Sequence, residues 1–264
     1  MNSAAAPPFS LSRFVEDVRV FEAAPGCARR VDQLPNGRTN LIFRVLDGGH
    51  RASLSVGGPR TRAHFKLATG VERAVIVQLK PGWSASLLGV AAHALTDRIV
   101  PIEDIWGRAA AELSDELLAA RSVPELLERL ARAIALRTQQ QPTFEPAAAR
   151  LARRAVRLIE GGEVRVEHVA ERLGVSARHL RRAFTESVGV GPKDFARSVR
   201  LQRALRLATL SRDWGRIAAD AGYYDQAHLI ADFRALVGLT PGAFAKRTGG
   251  LVVEARAAAE LRLA

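Results

Sequence analysis

Residues 169–184 read Val169-Ala170-Glu171-Arg172-Leu173-Gly174-Val175-Ser176-Ala177-Arg178-His179-Leu180-Arg181-Arg182-Ala183-Phe184. The pattern returns at 217–233 as Ile217-Ala218-Ala219-Asp220-Ala221-Gly222-Tyr223-Tyr224-Asp225-Gln226-Ala227-His228-Leu229-Ile230-Ala231-Asp232-Phe233. The offset is 48 up to the glycine (217 − 169) and 49 beyond it (225 − 176), one residue having entered the turn. Downstream, Val188, Gly189, Pro192 and Phe195 come back as Val237, Gly238, Pro241 and Phe244.

Each copy has a local physical reading. An aliphatic-alanine pair opens a short helix, and the small alanine lets a second helix cross closely over it. Gly174 and Gly222 stand where that helix ends in a left-handed backbone conformation. Ser176 and Asp225 then fall where an N-cap is needed to accept hydrogen bonds from free amides of the next helix. Leu180 with Phe184, and Leu229 with Phe233, are i,i+4 pairs that bury one face of this second helix and leave the other outward. The prediction is two helix-turn-helix units.

The charge points the same way. With 39 basic and 27 acidic residues the chain carries +12. Residues 1–146 hold 18 basic and 15 acidic groups, a net of +3, and residues 147–264 hold 21 and 12, a net of +9. Excess positive charge confined to the region of the repeat suits a polyanionic partner. A general bias toward arginine, which supplies 35 of the 39 basic residues, is the alternative source of that excess.

These residues resemble the AraC/XylS family of bacterial transcription regulators over about Leu151 to Arg247. The marks are the Ser-x-x-His-Leu-x-Arg-x-Phe run at 176–184 and the block from Ile217-Ala-x-x-Ala-Gly-Tyr to Gly238-Leu-Thr-Pro-Gly242. The resemblance implies two helix-turn-helix units joined by a long helix. Phe195 to Ala208 fits that connector, with Leu201, Ala204, Leu205 and Ala208 spaced for burial between the halves. Two readers in one chain would enter successive major grooves about 34 Å apart on one side of duplex DNA.

With Leu180, Ala183 and Phe184 turned inward, Arg178, Arg181 and Arg182 share the outer face of the first reading helix. Arginine forks suit guanine O6 and N7, and Arg182 is the foremost base-reading candidate. The corresponding positions of the second unit are Ala227, Ile230 and Ala231, a departure from the family, which often carries a basic residue near the last. These side chains can meet a thymine methyl group but cannot hydrogen-bond a base. Gln226 and His228 remain as polar candidates, and Asp232 would repel phosphate unless paired with a neighbour such as Arg216 or Arg234. Unequal readout follows as an expectation: the first unit specifies, the second positions. The DNA-facing set is therefore Ser176, Arg178, His179, Arg181, Arg182, Asp225, Gln226, Ala227, His228 and Ala231. His179 and His228 occupy equivalent places, where a structural role and a base contact both stay open. Arg150, Arg153, Arg154, Arg157, Arg197, Arg200, Arg203 and Arg216 are further phosphate neighbours or solvated surface.

Ahead of the repeat the periodicity changes. Leu41–Val45, Ala52–Val56 and Ala74–Leu79 are β-leaning runs separated by Gly- and Pro-rich turns. Helical spacing begins near Ile105 and runs to Leu118, and Pro124 opens another helix through Ile134. Gly57-Gly-Pro-Arg-Thr-Arg62, Lys80-Pro-Gly82, Leu88-Gly89 and Asp97–Gly107 resemble a cupin-like N-terminal domain found in the same family. The expected fold is thus α+β. A β-rich, cupin-like barrel with a helical appendage (1–137, sensing or dimerisation) is followed by a linker (138–146). An all-α DNA-binding domain (147–250) and a tail (251–264) complete the chain. A barrel interior could hold a small molecule, with Phe43, Arg44, Arg62, Phe65 and Trp83 as candidate lining residues, each also explicable as core or ion-pair material. Double-stranded DNA is the implied partner. RNA polymerase, a small-molecule effector and a second copy of the chain (through helices at 105–135) are further candidates.

Other classes fit poorly. A length of 264 residues suggests about two domains. No run approaches ~18 apolar residues, so no membrane span is expected, and Met1–Pro8 lacks the pattern of a secretory signal and reads as a frayed arm. A single cysteine excludes an internal disulfide framework and fits the cytoplasm. His50, His64 and His93 lack metal-binding spacing, and neither a nucleophile elbow nor a phosphate loop occurs, so no enzyme, cofactor or metal is expected. Two rivals remain: a ligand-independent architectural DNA-binding protein, and a DNA-repair methyl acceptor using Cys27. The latter rests on Arg29 and Arg30 beside that thiol, and lacks the cysteine cluster such modules use.

Overall fold

The computed structural model describes residues 13–23, 27–139, 146–163 and 165–247. The expected arm at 1–8, the 251–264 tail and most of the expected linker lie outside the described residues.

The N-terminal half carries β1 (Val15–Glu22), β2 (Arg29–Gln33), β3 (Asn40–Leu46), β4 (Arg51–Gly57), β5 (His64–Ala68), β6 (Val71–Leu79) and β7 (Ile99–Pro101). Five of these form an antiparallel sheet in the order β1-β6-β3-β4-β7, and β2 pairs with β5 in a separate two-stranded sheet. Alternation along β3 sends Leu41 and Phe43 into the core, where Phe43 lies opposite Leu54 of β4 and Val75 of β6. Ile42 and Arg44 point to the opposite face.

The expected barrel does not close. β1 and β7 are the two ends of the five-stranded sheet, and its apolar face is covered by helices instead. These are α1 (Ser84–Leu88), α2 (Ala92–Leu95), α3 (Glu103–Trp106), α4 (Arg108–Leu118) and α5 (Val123–Gln139). Leu87, Leu88, Leu113, Leu117, Leu130 and Ile134 join the strand residues in one core. The helical run expected from Ile105 to Leu118 is split at Gly107, whose φ of 66° and ψ of −147° no helix accommodates.

The second half is all helical: α6 (Ala147–Glu160), α7 (Val166–Arg172), α8 (Ala177–Val188), α9 (Pro192–Leu207), α10 (Trp214–Ala221), α11 (Gln226–Val237) and α12 (Pro241–Arg247). It has two cores, and α9 serves both. Phe195 and Ala196 join Leu180 and Phe184 in the first; Leu201, Ala204, Leu205 and Ala208 join Leu229 and Phe233 in the second. The four connector residues expected between the halves thus belong to the second.

The β-rich half rests on both parts of the helical one. Near the first, Thr96 Oγ1 donates to the Gly189 carbonyl at 2.6 Å, and the Arg153 guanidinium lies 3.9 Å from the Trp83 ring centroid. Near the second, the Ala63 N–H donates to the Leu236 carbonyl at 2.8 Å, and Phe65 packs against Phe244 with centroids 6.3 Å apart. Between them the 34–38 loop meets α9. Gln202 donates to the Pro35 carbonyl, and Arg38 bridges Glu16 and Glu160. Gly37 (φ 64°) approaches so closely that a β-carbon there would lie 2.4 Å from the Phe195 ring.

Candidate nucleic-acid interface

The two units are built alike from their caps outward. The Ser176 hydroxyl accepts from the His179 N–H at 3.2 Å, and an Asp225 carboxylate oxygen accepts from the His228 N–H at 2.7 Å. Gly174 (φ 69°) and Gly222 (φ 85°) make the preceding turns, where an L side chain would be strained. Both second helices, α8 and α11, are 12 residues long and end at a left-handed glycine, Gly189 or Gly238. Leu180, Phe184, Leu229 and Phe233 are each at most 1% exposed, so the i,i+4 pairs fix which face of each helix is turned outward.

All ten residues expected to face DNA are exposed. On α8 they present a cationic surface: Arg178 and Arg182 point to solvent, while Arg181 is tied to Glu167 of α7 at 2.6 Å. Both members of that pair are more than half exposed, so the tether is weak and can exchange for another anion. On α11 the same surface consists of Gln226, Ala227 and Ala231, beside a half-buried Ile230. His228 has packing work as well: its ring stands edge-on to Tyr223 at 5.3 Å, and the Tyr224 N–H points to its Nδ1 at 3.5 Å.

Asp232 is not beside the outer face. It is 7% exposed and turned onto α9, where its carboxylate meets Arg197 at 2.8 Å and Arg200 at 3.5 Å. Neither expected partner is used; Arg216 pairs instead with Asp220. The connector runs beneath α11, so the acid that would have repelled phosphate ties reader to connector. Tyr223 lies in the same cluster, where burial and then the Asp232 carboxylate push its phenol well above the ordinary tyrosine range.

The five candidate ligand residues are not brought together. Phe43 is core, Phe65 packs on Phe244 and Arg247, Trp83 sits between Phe14 and Arg153, and Arg62 is exposed. Arg44 differs. It is partly buried on the sheet face opposite the core, and desolvation holds its guanidinium below the usual range. Lys66 of β5 is likewise lowered by burial, and further by the charges of Arg44 and Arg60. Sequence reasoning missed Lys66, since its neighbour comes from another sheet. It also missed Tyr224, which is 91% exposed. Its signal was the inserted residue: Tyr223 takes the inward place of Val175, and Tyr224 is the extra.

Among the described residues no three His, Cys, Asp or Glu side chains are gathered to hold a metal, and no helix is long and apolar enough to cross a membrane. Cys27 is exposed.

Residues 169–247 match the model of a helix-turn-helix domain, and residues 3–101 match a domain of unknown function (DUF6597). The HTH-type transcriptional regulator GlxA of Rhizobium meliloti (strain 1021) is 39% identical over 82 residues, 31% of this chain. The chain spans 25% of the length of that relative. Among solved structures, ToxT from Vibrio cholerae O395 is similar at a TM-score of 0.45 and 12% identity, covering 86% of this chain and 96% of its own. An AraC-type DNA-binding-domain protein from Chromobacterium violaceum is similar at 0.33 and 26% identity, covering 35% and 87%. The duplicated reader, with its shared connector and paired caps, defines a double helix-turn-helix protein. The helix-turn-helix match and the 39% identity to an HTH-type transcriptional regulator support the resemblance of this region to AraC/XylS regulators.

Proposed function

We propose that the chain is a sequence-specific transcription regulator that lays α8 and α11 into successive major grooves on one side of duplex DNA. The observation that carries this reading is the matched construction of the two readers, each with its outer face open to solvent, on one connecting helix. Residues 147–250 are the DNA-binding part. Residues 1–137 sense a small molecule or a second copy of the chain, and the half-buried Arg44 and Lys66 favour an effector with negative charge. The protein is a binder rather than a catalyst, works in the cytoplasm, and acts on transcription through contact with RNA polymerase.

Readout is unequal. Arg178 and Arg182 can fork onto guanine, whereas Ala227 and Ala231 offer only methyl contacts. Tyr224 is a sugar-phosphate contact for the second unit. Selection of bound duplexes from a random pool tests this: the base pairs under α8 are enriched more strongly than those under α11. Arg182→Ala is expected to lose ~1–3 kcal/mol of discrimination at one base pair with little loss of non-specific affinity. Equal information in both half-sites, or unchanged preference in the variant, contradicts the assignment.

A further inference from the structure

Outside the reading faces, α6 and α7 enclose an open concavity of about 250 Å³ lined by Arg154, Arg157, Leu158, Arg172 and Leu173. Three exposed arginines line it, and none of the five lining residues is acidic. Four other arginines of this domain are matched with carboxylates: Arg181 with Glu167, Arg216 with Asp220, Arg197 and Arg200 with Asp232. Leu158 and Leu173, both packed on the first core, supply the apolar part of the lining, and three like charges gathered beside them raise the local positive potential. Arginine forks match the oxygens of a phosphate in two-pronged fashion.

We propose that this concavity is a phosphate-binding site. Arg172 closes α7 four residues before Ser176, the cap of α8. In helix-turn-helix proteins the helix preceding the reader crosses the nucleic-acid backbone. A backbone phosphate flanking the first half-site is therefore one source of the ligand, and that arm rests on the function proposed above. A free phosphorylated molecule is the other.

The test uses the full chain as wild type, as the triple variant R154Q/R157Q/R172Q, and as R154Q and R172Q singly. R108Q/R132Q, in the N-terminal half, controls for loss of charge. Affinity for a selected duplex is measured across a salt series. In the absence of DNA, melting temperature is followed against inorganic pyrophosphate at constant ionic strength. If the phosphate is that of DNA, the triple variant flattens the salt slope by about one for each phosphate no longer neutralised, preserves the ratio between specific and non-specific sites, and the control does not flatten it. If the ligand is free, pyrophosphate raises the melting temperature of wild type and control but not of the triple variant, and the slope is unchanged. An unchanged slope together with equal pyrophosphate responses overturns the site. Failure of wild type to bind any duplex sinks the DNA reading of the chain, and the pyrophosphate arm alone then decides the concavity.

Discussion

Phe184→Ala and Phe233→Ala, made separately, are each expected to destabilise the helical domain by about 3–5 kcal/mol, the usual range for truncating a buried phenylalanine. Both rings are at most 1% exposed, and each packs edge-on against an aromatic partner from a following helix: Phe184 on Phe195 at 5.4 Å, Phe233 on Phe244 at 5.7 Å. Neither site can empty without losing a pair that holds a reader to the helix behind it. The two residues occupy the same place in the repeat, so the deficits should be similar in size and different in location. Below the unfolding midpoint, Phe184→Ala should thin the footprint under the first half-site and Phe233→Ala that under the second. Denaturant titration gives the energies and footprinting the location. A loss under about 1 kcal/mol, or the same half of the footprint fading in both variants, would contradict the twin construction.

Asp232→Ala is expected to cost about 3 kcal/mol, the lower end of the range for breaking a buried ion pair, because Arg197 and Arg200 retain 26% and 17% of their exposure. Removing the carboxylate takes from Arg200 its acidic partner and leaves Arg197 only the more exposed Asp194 at 3.7 Å. Arg197→Ala should cost less, since Asp232 keeps Arg200. A double-mutant cycle between Asp232 and Arg197 should show coupling of about 1 kcal/mol or more. Additive single effects would mean that the triad does not fasten the second reader to the connector.

The duplicated readers were legible in the sequence because everything that defines them is local. A cap and the amide it satisfies lie three residues apart, the apolar pairs lie four apart, and the turn glycine is next door. Asp232 was misplaced for the converse reason: its partners are 35 and 32 residues away (232 − 197 and 232 − 200), on a helix whose crossing no local period reveals. In the N-terminal half, β3, β4 and β6 are legible as β-leaning runs set off by Gly- and Pro-rich turns. The other strands were missed: β1 is half-buried along most of its length, β2 and β5 pair only with each other, and β7 has three residues. A barrel was the natural inference from short strands between turns. The sheet stays open because α4 and α5 supply the apolar cover that closure would otherwise provide. The aromatic and arginine residues grouped as a ligand site come from separate stretches, and packing sets Phe43 and Trp83 in the sheet core, Phe65 against Phe244 and Arg62 at the surface.

Hydroxyl-radical footprinting of the full chain on a duplex recovered by selection tests the central claim most directly. Two protected segments about one helical turn apart, on the same side of the duplex, with the sharper sequence requirement under the α8 segment, is the predicted result. A single protected segment, or two on opposite sides, would contradict it.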